Sequence, residues 1–317
     1  LIPNRSLEEL HLPTFKEAID AGALTVMINS GEVNGIPGHA NKYLLTDILK
    51  DKWGFTGFTV SDWEDLINLH KMAQTDSTLK DAIATAINAG VDMSMVPNNP
   101  EYKNYCKLFI ELVNEKRISE NRLDDAVRRI LRVKSHLGLL NKTRIPFSND
   151  YTDFGSEKHK KASYNAASES ITLLKNKGLL PLSTENKILL IGPTANSLNC
   201  LNGAWTHTWQ GVDESYNNDY PTIKDVIEDR FNKVNYFEGS KMIMKYGDEH
   251  DIPSSDLQNA VNSAKYSDVA IVCLGELPST ERPGDIFTLD LPEEQQLIVK
   301  ELSKTGIPIL LVLVEGR

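Results

Sequence analysis

The sequence predicts an α/β protein in two parts, each built on parallel strands. Short apolar runs of about four to six residues alternate with longer stretches whose apolar side chains recur at helical spacing. A polar, aperiodic stretch over residues 141–160, "NKTRIPFSNDYTDFGSEKHK", interrupts the alternation, which then resumes. The length, 317 residues, suffices for two domains. The expected division is 1–140, a linker over 141–160, and a second domain over 161–317.

In the first part, "ALTVMINS" reads as a short apolar strand. "NKYLLTDILKDKW" follows as a helix, with Leu44, Leu45, Ile48 and Leu49 on one face. "GFTVSD" is the next strand, and "TLKDAIATAINAG" a helix stopped at Gly90. "VDMSMV" is a third strand, and "EYKNYCKLFIELVNEKR" another helix. "SENRLDDAVRRILRVKSHLG" is a further helix, with Ser119 placed to cap its start and Gly138 to end it. Strands alternating with helices in this way give βα units and a parallel sheet, as a barrel or as a doubly wound layer. Parallel strands are covered on both faces, hence the nearly continuous apolar runs. Chemistry in such folds gathers at the C-terminal strand ends. Asn29, Ser30, Asp62, Trp63 and Met95 fall there, with the loop "GEVNGIPGHA".

The second part repeats the logic. Strands are expected at "NKILLIGP", "NKVNYF", "DVAIVCLG" and "IPILLVLV". Helices are expected at "DYPTIKDVIEDRF", "SDLQNAVNSAKYS" and "LPEEQQLIVKELSKTG". No internal repeat, heptad or low-complexity run stands out.

Composition excludes several classes. The 34 basic and 44 acidic side chains leave a net charge of -10, which argues against a nucleic-acid partner and against anionic membrane surfaces. No apolar run reaches the roughly 18 residues of a membrane span. Cys106, Cys200 and Cys273 show neither metal-ligand nor disulfide-framework spacing. The chain opens in mid-pattern and closes at a strand end on "ILLVLVEGR", so it reads as a piece of something longer, with the second domain C-terminally incomplete.

Three groups carry candidate chemistry. Asp62 ends an apolar strand, so its backbone is firmly held, as a nucleophile requires. The plain alternative is a helix N-cap. Trp63 beside it offers a flat apolar face suited to a sugar or a base, or fills core. Glu276 ends "DVAIVCLGE", and Glu281, Arg282 and Asp285 follow in "LPSTERPGD". These acids form either a salt-bridged surface or one half of a catalytic pair. Two carboxylates about 5–5.5 Å apart would suit retaining glycoside hydrolysis. "LNGAWTHTWQG" sets Trp205, His207 and Trp209 between glycines, as a strand with one wet face or as a loop with exposed rings. Metal binding is not expected, because His207 has no second histidine at ligand spacing. "LLIGPTAN" and "GEVNGIPG" both lack the residues of a phosphate loop.

Several blocks resemble glycoside hydrolase family 3. They are "ELHLPTFKEAIDAGALTVMINSGEVNGIP", "LLTDILKDKWGFTGFTVSDWEDL", "NAGVDMSMVP", "RLDDAVRRILRVKSHLGLL", "ASESITLLKNKGLLPL", "GAWTHTWQG" and "LGELPSTERPGD". The match runs in order over nearly the whole chain. The resemblance implies the C-terminal portion of a (β/α)8-like barrel followed by an α/β sandwich domain, with sugar bound between them. It also implies retaining, exo-acting hydrolysis of terminal β-D-glucosyl units. Neighbouring activities are β-xylosidase, β-N-acetylglucosaminidase and non-catalytic sugar binding. Asp62 would be the nucleophile and Glu276 the acid/base, with Glu281 its rival. Trp63 and Trp205 would press on the leaving sugar. Met27 and Met95 would sit near the barrel mouth, and Arg282 beside the acid. Relatives carry a Ser-Tyr-Asn run where this chain has "INS", so the tyrosine position reads Ser30 and another group must orient Asp62. No cofactor is implied. The implied partners are a β-linked glucose-containing oligosaccharide and an N-terminal part of the same enzyme, whose barrel strands would precede the three present here. The implied location is periplasmic or secreted.

Overall fold

The computed structural model describes the chain except for residues 74–75, 99, 141–150, 152, 212, 214, 216–219, 246–247, 254–255 and 317. It divides into two compact units, Leu1–Phe154 and Gly155–Arg317. Most of the expected linker lies outside the described residues. Its last residues, 157–160, open a helix that Ser156 caps by accepting from the His159 N–H. Polar composition hid that helix, because capping and backbone bonds need no apolar face.

The first unit begins with short helices α1 (Asn4–Ser6) and α2 (Pro13–Asp20). Strand β1 (Thr25–Met27) follows, then the hairpin of β2 (Glu32–Val33) and β3 (Ile36–Pro37). Next come a π-helix over Tyr43–Lys52 and strand β4 (Phe58–Val60). The π-helix closes with the Trp53 N–H donating to the Ile48 carbonyl, five residues back. Four helices complete the unit: α3 (Asp65–Lys71), α4 (Leu79–Ala89), α5 (Glu101–Asn114) and α6 (Glu120–His136). Ser119 caps α6 by accepting from the Arg122 N–H, and Gly138 follows its end at φ 70°, both as the sequence predicts.

β1 and β4 pair in parallel, Met27 opposite Val60. The expected third strand, "VDMSMV", is reduced to one parallel bridge from Met93 to Val60. Asp92 accounts for that shortness: its side chain takes the Thr59 N–H at 2.9 Å, a bond that a longer ladder would make through backbone. Nor is β1 covered on both faces, since Thr25 and Met27 are exposed. The core lies instead among Leu66, Leu69, Ile83, Ala86, Ile87, Leu112 and Ile118, between α3, α4 and α5.

Asp92 is the buried electrostatic centre of this unit. One carboxylate oxygen accepts from Lys50 Nζ at 2.7 Å and from Arg122 Nη2. The other takes the Thr59 N–H and its hydroxyl. Burial pushes the carboxyl upward, but Lys50, Thr59 and Arg122 outweigh it and hold the group below its ordinary range. Burial dominates at Lys50 and drops its ammonium to about 8, against the pull of Asp92.

The second unit opens with α7 (Glu157–Ser170) and continues with β5 (Ile188–Ile191), α8 (Ile223–Arg230) and β6 (Val234–Phe237). An antiparallel pair absent from the expected elements, β7 (Ser240–Lys245) and β8 (Asp248–Pro253), comes next. Then follow α9 (Leu257–Ser263), β9 (Val269–Gly275), α10 (Glu293–Ser303) and β10 (Ile309–Val314). The main sheet is parallel, in the order β10-β9-β5-β6. β5 and β9 are buried along their whole length. Successive side chains of β9 face opposite layers. Ala270, Val272 and Leu274 meet Ala260, Ile298 and Leu302 of α9 and α10. Val269, Ile271 and Cys273 meet Phe231 and Ile227 at α8. The thiol of Cys273 is pushed up to about 12 by burial, which leaves it an inert core group.

Removing the Asp92 carboxylate by Asp92→Ala leaves Lys50 and Arg122 as uncompensated buried cations. The expected loss is about 3–5 kcal/mol in urea denaturation at neutral pH. Asp92 binds its proton less readily folded than unfolded. Its stabilisation is therefore complete above the unfolded value of about 4 and fades as pH falls through the lower folded value. Asp92→Asn should flatten that acid-side slope of stability, and an unchanged slope would contradict the network.

Candidate functional site

In the first unit, parallel pairing places the ends of β1 and β4 and the bridge at Met93 along one edge. Asp62 stands two residues beyond β4 and is half-buried. Its Oδ1 accepts from the Trp63 N–H at 2.6 Å, and its Oδ2 from the Ser30 hydroxyl at 3.4 Å. The plain N-cap alternative does not hold, because helix α3 starts at Asp65 and its N-cap position is Glu64. Ser30, where the resemblance implies a missing tyrosine hydroxyl, brings a hydroxyl of its own to the same carboxylate.

The turn beneath is stitched to the next strand end. Buried Ser61 donates its hydroxyl to the Asp62 carbonyl at 2.9 Å and accepts the Met95 N–H at 2.7 Å. Glu64, at φ 55°, donates its N–H to the Met95 carbonyl and accepts from the Asn98 amide at 2.6 Å. Trp63 is 56% exposed and Met27 50%, while Met95 is half-buried. Trp63 and Met27 are thus open surface within their own unit, and Trp63 is not core filling there.

His39, unremarked as a site residue in the sequence, is buried beneath this edge with Nδ1 3.5 Å from Asp65 Oδ2. Burial lowers its imidazole below the ordinary range, while Asp65 and Asp62 push the other way. Only the adjacent "PGHA" loop hinted at it, since its acidic neighbours lie more than 20 residues along the chain.

In the second unit, Glu276 follows β9 directly. Its N–H donates to the Val314 carbonyl, and its Oε1 accepts from the Gly316 N–H at 3.1 Å. Gly275 before it sits at φ 156°, where a Cβ would collide with the Val314 carbonyl. The buried amide of Gln295 on α10 clamps Gly275 from the other side. It accepts the Gly275 N–H at 2.9 Å and donates to the Gly275 carbonyl at 2.8 Å. Glu281 is exposed at φ 55°, ψ -154°, and its side chain makes no cap bond to the turn Arg282–Gly284 that follows. Arg282 is exposed beside it.

"LNGAWTHTWQG" forms a loop rather than a strand. The Trp205 N–H donates to the Trp209 carbonyl at 2.9 Å, and Trp205 and His207 both adopt positive φ. Trp205 is 67% exposed. Among the described residues no cluster of three or more His, Cys, Asp or Glu could hold a metal ion, and no helix is long and apolar enough to cross a membrane.

The family model described as the Glycosyl hydrolase family 3 N terminal domain matches residues 2–133. The model of the Glycosyl hydrolase family 3 C-terminal domain matches residues 171–317. The chain belongs to glycosyl hydrolase family 3.

Its family 3 relatives include the lysosomal beta glucosidase of Dictyostelium discoideum, 38% identical over 100% of this chain and 39% of that protein. The periplasmic beta-glucosidase of Salmonella typhimurium is 32% identical over 97% of this chain and 42% of that protein. A solved structure of the beta-glucosidase from Listeria innocua in complex with glucose superposes with a TM-score of 0.76 at 30% identity, covering all of this chain and 41% of that one. The chain thus spans about two fifths of the length of these relatives.

The clamp on Gly275 gives a test of how the edge beneath Glu276 is held. Gln295→Leu leaves a buried N–H and C=O without partners and is expected to lower stability by about 2–4 kcal/mol. The urea midpoint reads this directly, and an unchanged midpoint would show that the backbone at Gly275 finds other partners.

Proposed function

We propose that the protein of which this chain is part hydrolyses terminal β-D-glucosyl units with retention of configuration. The first unit would then be the C-terminal portion of a (β/α)8-like barrel, and the second an α/β sandwich domain. Asp62 carries the reading: a half-buried carboxylate beyond a parallel strand end, with the Trp63 N–H and the Ser30 hydroxyl each aimed at one of its oxygens. A nucleophile needs that fixed aim, because small misplacements cost large factors in rate.

In the first step Asp62 attacks the anomeric carbon as the bond to the leaving oxygen breaks, and a protonated glutamic acid gives that oxygen its proton. In the second step the same glutamate takes a proton from water. The water oxygen bonds to the anomeric carbon and releases the Asp62 carboxylate. Between the two candidate acids the geometry favours Glu281. Glu276 already accepts from the Gly316 N–H and braces the end of β9. Glu281 is exposed, has no cap bond to the turn behind it, and sits in a backbone conformation that non-glycine residues seldom adopt. Trp63 and Trp205 would offer flat faces to the departing sugar, with Met27 and Met95 lining the edge around Asp62 and Arg282 flanking the acid. A β-linked gluco-oligosaccharide is the substrate class, and a periplasmic or secreted location fits the naming of the Salmonella relative.

Asp62→Asn in the full-length protein should lower turnover of an aryl β-glucoside by at least about a thousandfold with the fold retained. A 2-deoxy-2-fluoro glucoside should label the Asp62 peptide by mass spectrometry, and near-normal turnover or a label elsewhere would overturn the nucleophile. Glu281→Ala should lose activity toward poor leaving groups and regain it on activated substrates with azide. If Glu276→Ala shows that pattern instead, the acid is Glu276. Parallel assays with aryl β-xyloside and N-acetyl-β-glucosaminide fix the sugar.

A further inference from the structure

We infer that Gln210 is a positioning residue for proton transfer, holding the backbone that aims Glu281; the inference rests on the assignment of Glu281 above. The side chain of Gln210 reaches across 70 residues of sequence to a single residue, Thr280. Its Oε1 accepts the Thr280 N–H at 3.1 Å, and its Nε2 donates to the Thr280 carbonyl at 3.3 Å. The Thr280 carbonyl lies in the peptide plane that joins it to Glu281. Fixing that plane fixes the reference from which φ of Glu281 turns.

Glu281 needs such a hold. At φ 55°, ψ -154° it occupies a region that is nearly glycine's alone. A non-glycine residue stays there only where its surroundings over-determine it, at a cost of about 1–3 kcal/mol. In the turn after it the Gly284 N–H donates to the Glu281 carbonyl at 2.8 Å. The bonds before it come from Gln210.

Residue 210 is itself held. Gly211, at φ 77°, lies so close to the Gly203 carbonyl that a Cβ could not enter, and a Cβ there would also touch Pro278 at 3.4 Å. The Trp205 N–H to Trp209 carbonyl bond closes the same loop. The loop bearing Trp205 and the loop bearing Glu281 therefore form one clasped piece, and Gln210 supplies its polar fastening. Loss of the clasp should let the Thr280–Glu281 peptide rotate toward a relaxed conformation and carry the carboxyl off line.

A misaimed proton donor has a kinetic signature that general weakening lacks. Glycosylation of a leaving group that needs protonation slows, whereas one that departs unaided does not. The experiment measures kcat/KM of the full-length protein on β-glucosides whose leaving phenols span phenol to 2,4-dinitrophenol. Gln210→Met keeps length and volume and removes both bonds. It is expected to lower kcat/KM about 10- to 100-fold on the phenyl glucoside and less than about threefold on the 2,4-dinitrophenyl glucoside. Gln210→Asn, one methylene shorter with its amide kept, is expected to give the same steepening at smaller size. It serves as the readout should Gln210→Met fail to fold. In a Glu281→Ala background, Gln210→Met should add less than about twofold. An equal loss on every substrate, no loss, or a full additional loss in the Glu281→Ala background would each overturn the inference. If Glu281→Ala itself gives a flat series, the assignment of Glu281 falls and this inference with it. If Glu281→Ala is steep and both Gln210 variants are flat, only the role of Gln210 falls.

Discussion

A single buried carboxylate fastens β4 to the segment that follows α4 in the first unit. Asp92 accepts the Thr59 N–H and hydroxyl on one oxygen, and Lys50 and Arg122 on the other. Lys50 also donates to the Gly90 carbonyl at 2.7 Å, and Arg122 to the carbonyls of Ile87 and Val91 at 2.8 Å. The π-helix, β4, the end of α4 and α6 are thereby tied at one point. Desolvating so many charges is costly, and the network holds because nearly every polar atom in it has a partner. The consequence is register. With Thr59 pinned to Asp92, Ser61 reaches Met95 and Asp62 emerges beside it, so the edge bearing Asp62, Trp63 and Met95 depends on a residue that is itself away from any surface.

The second unit reaches a similar end without charge. Its central strands β5 and β9 are buried on both faces, where a lone ion would be costly, and the polar fastening is a neutral amide. Gln295 clamps both backbone groups of Gly275 at the last position of β9. Gln210 repeats the device one loop further on, at Thr280. Glutamine suits both places because its amide matches a peptide donor-acceptor pair and brings no charge to desolvate. Strand end and acidic loop are thus fixed by two side chains from different parts of the chain.

Periodicity made most of the regular elements legible. The alternation of apolar runs and helices identified the four parallel strands of the second sheet, and Ser119 and Gly138 marked the ends of α6 because capping is a local matter. Elements governed by side chain-to-backbone bonds were not legible. "VDMSMV" has the composition of a strand, yet Asp92 takes over its ladder bond and leaves one bridge. α7 buries no residue, so its first four residues read as linker and the rest as no regular element. Strand-end position singled out Asp62 and Glu276, and the acidic loop offered Glu281 as a rival, while the contacts of Gln210 and of buried His39 emerge only in three dimensions. A glutamine in a polar loop looks alike whether it meets water or a peptide 70 residues away.

Glu276 and Glu281 differ in how their backbone and their carboxyl are held. Glu276 has the more rigid position, but its rigidity is spent on structure: its N–H and one carboxylate oxygen both bond the chain around β10. Glu281 has the opposite balance. Its backbone is strained and externally held, while its side chain makes no cap bond and stands exposed. Strain in the main chain with freedom at the carboxyl is an arrangement that packing alone would not favour, since a glycine would relieve it at no cost in contacts. Trp205 and His207, on the partner loop, share the positive φ. Three such residues on two clasped loops cost several kcal/mol that the fold must offset elsewhere, and the proposed work of these loops, holding a ring and an acid in place, gives that cost a reason.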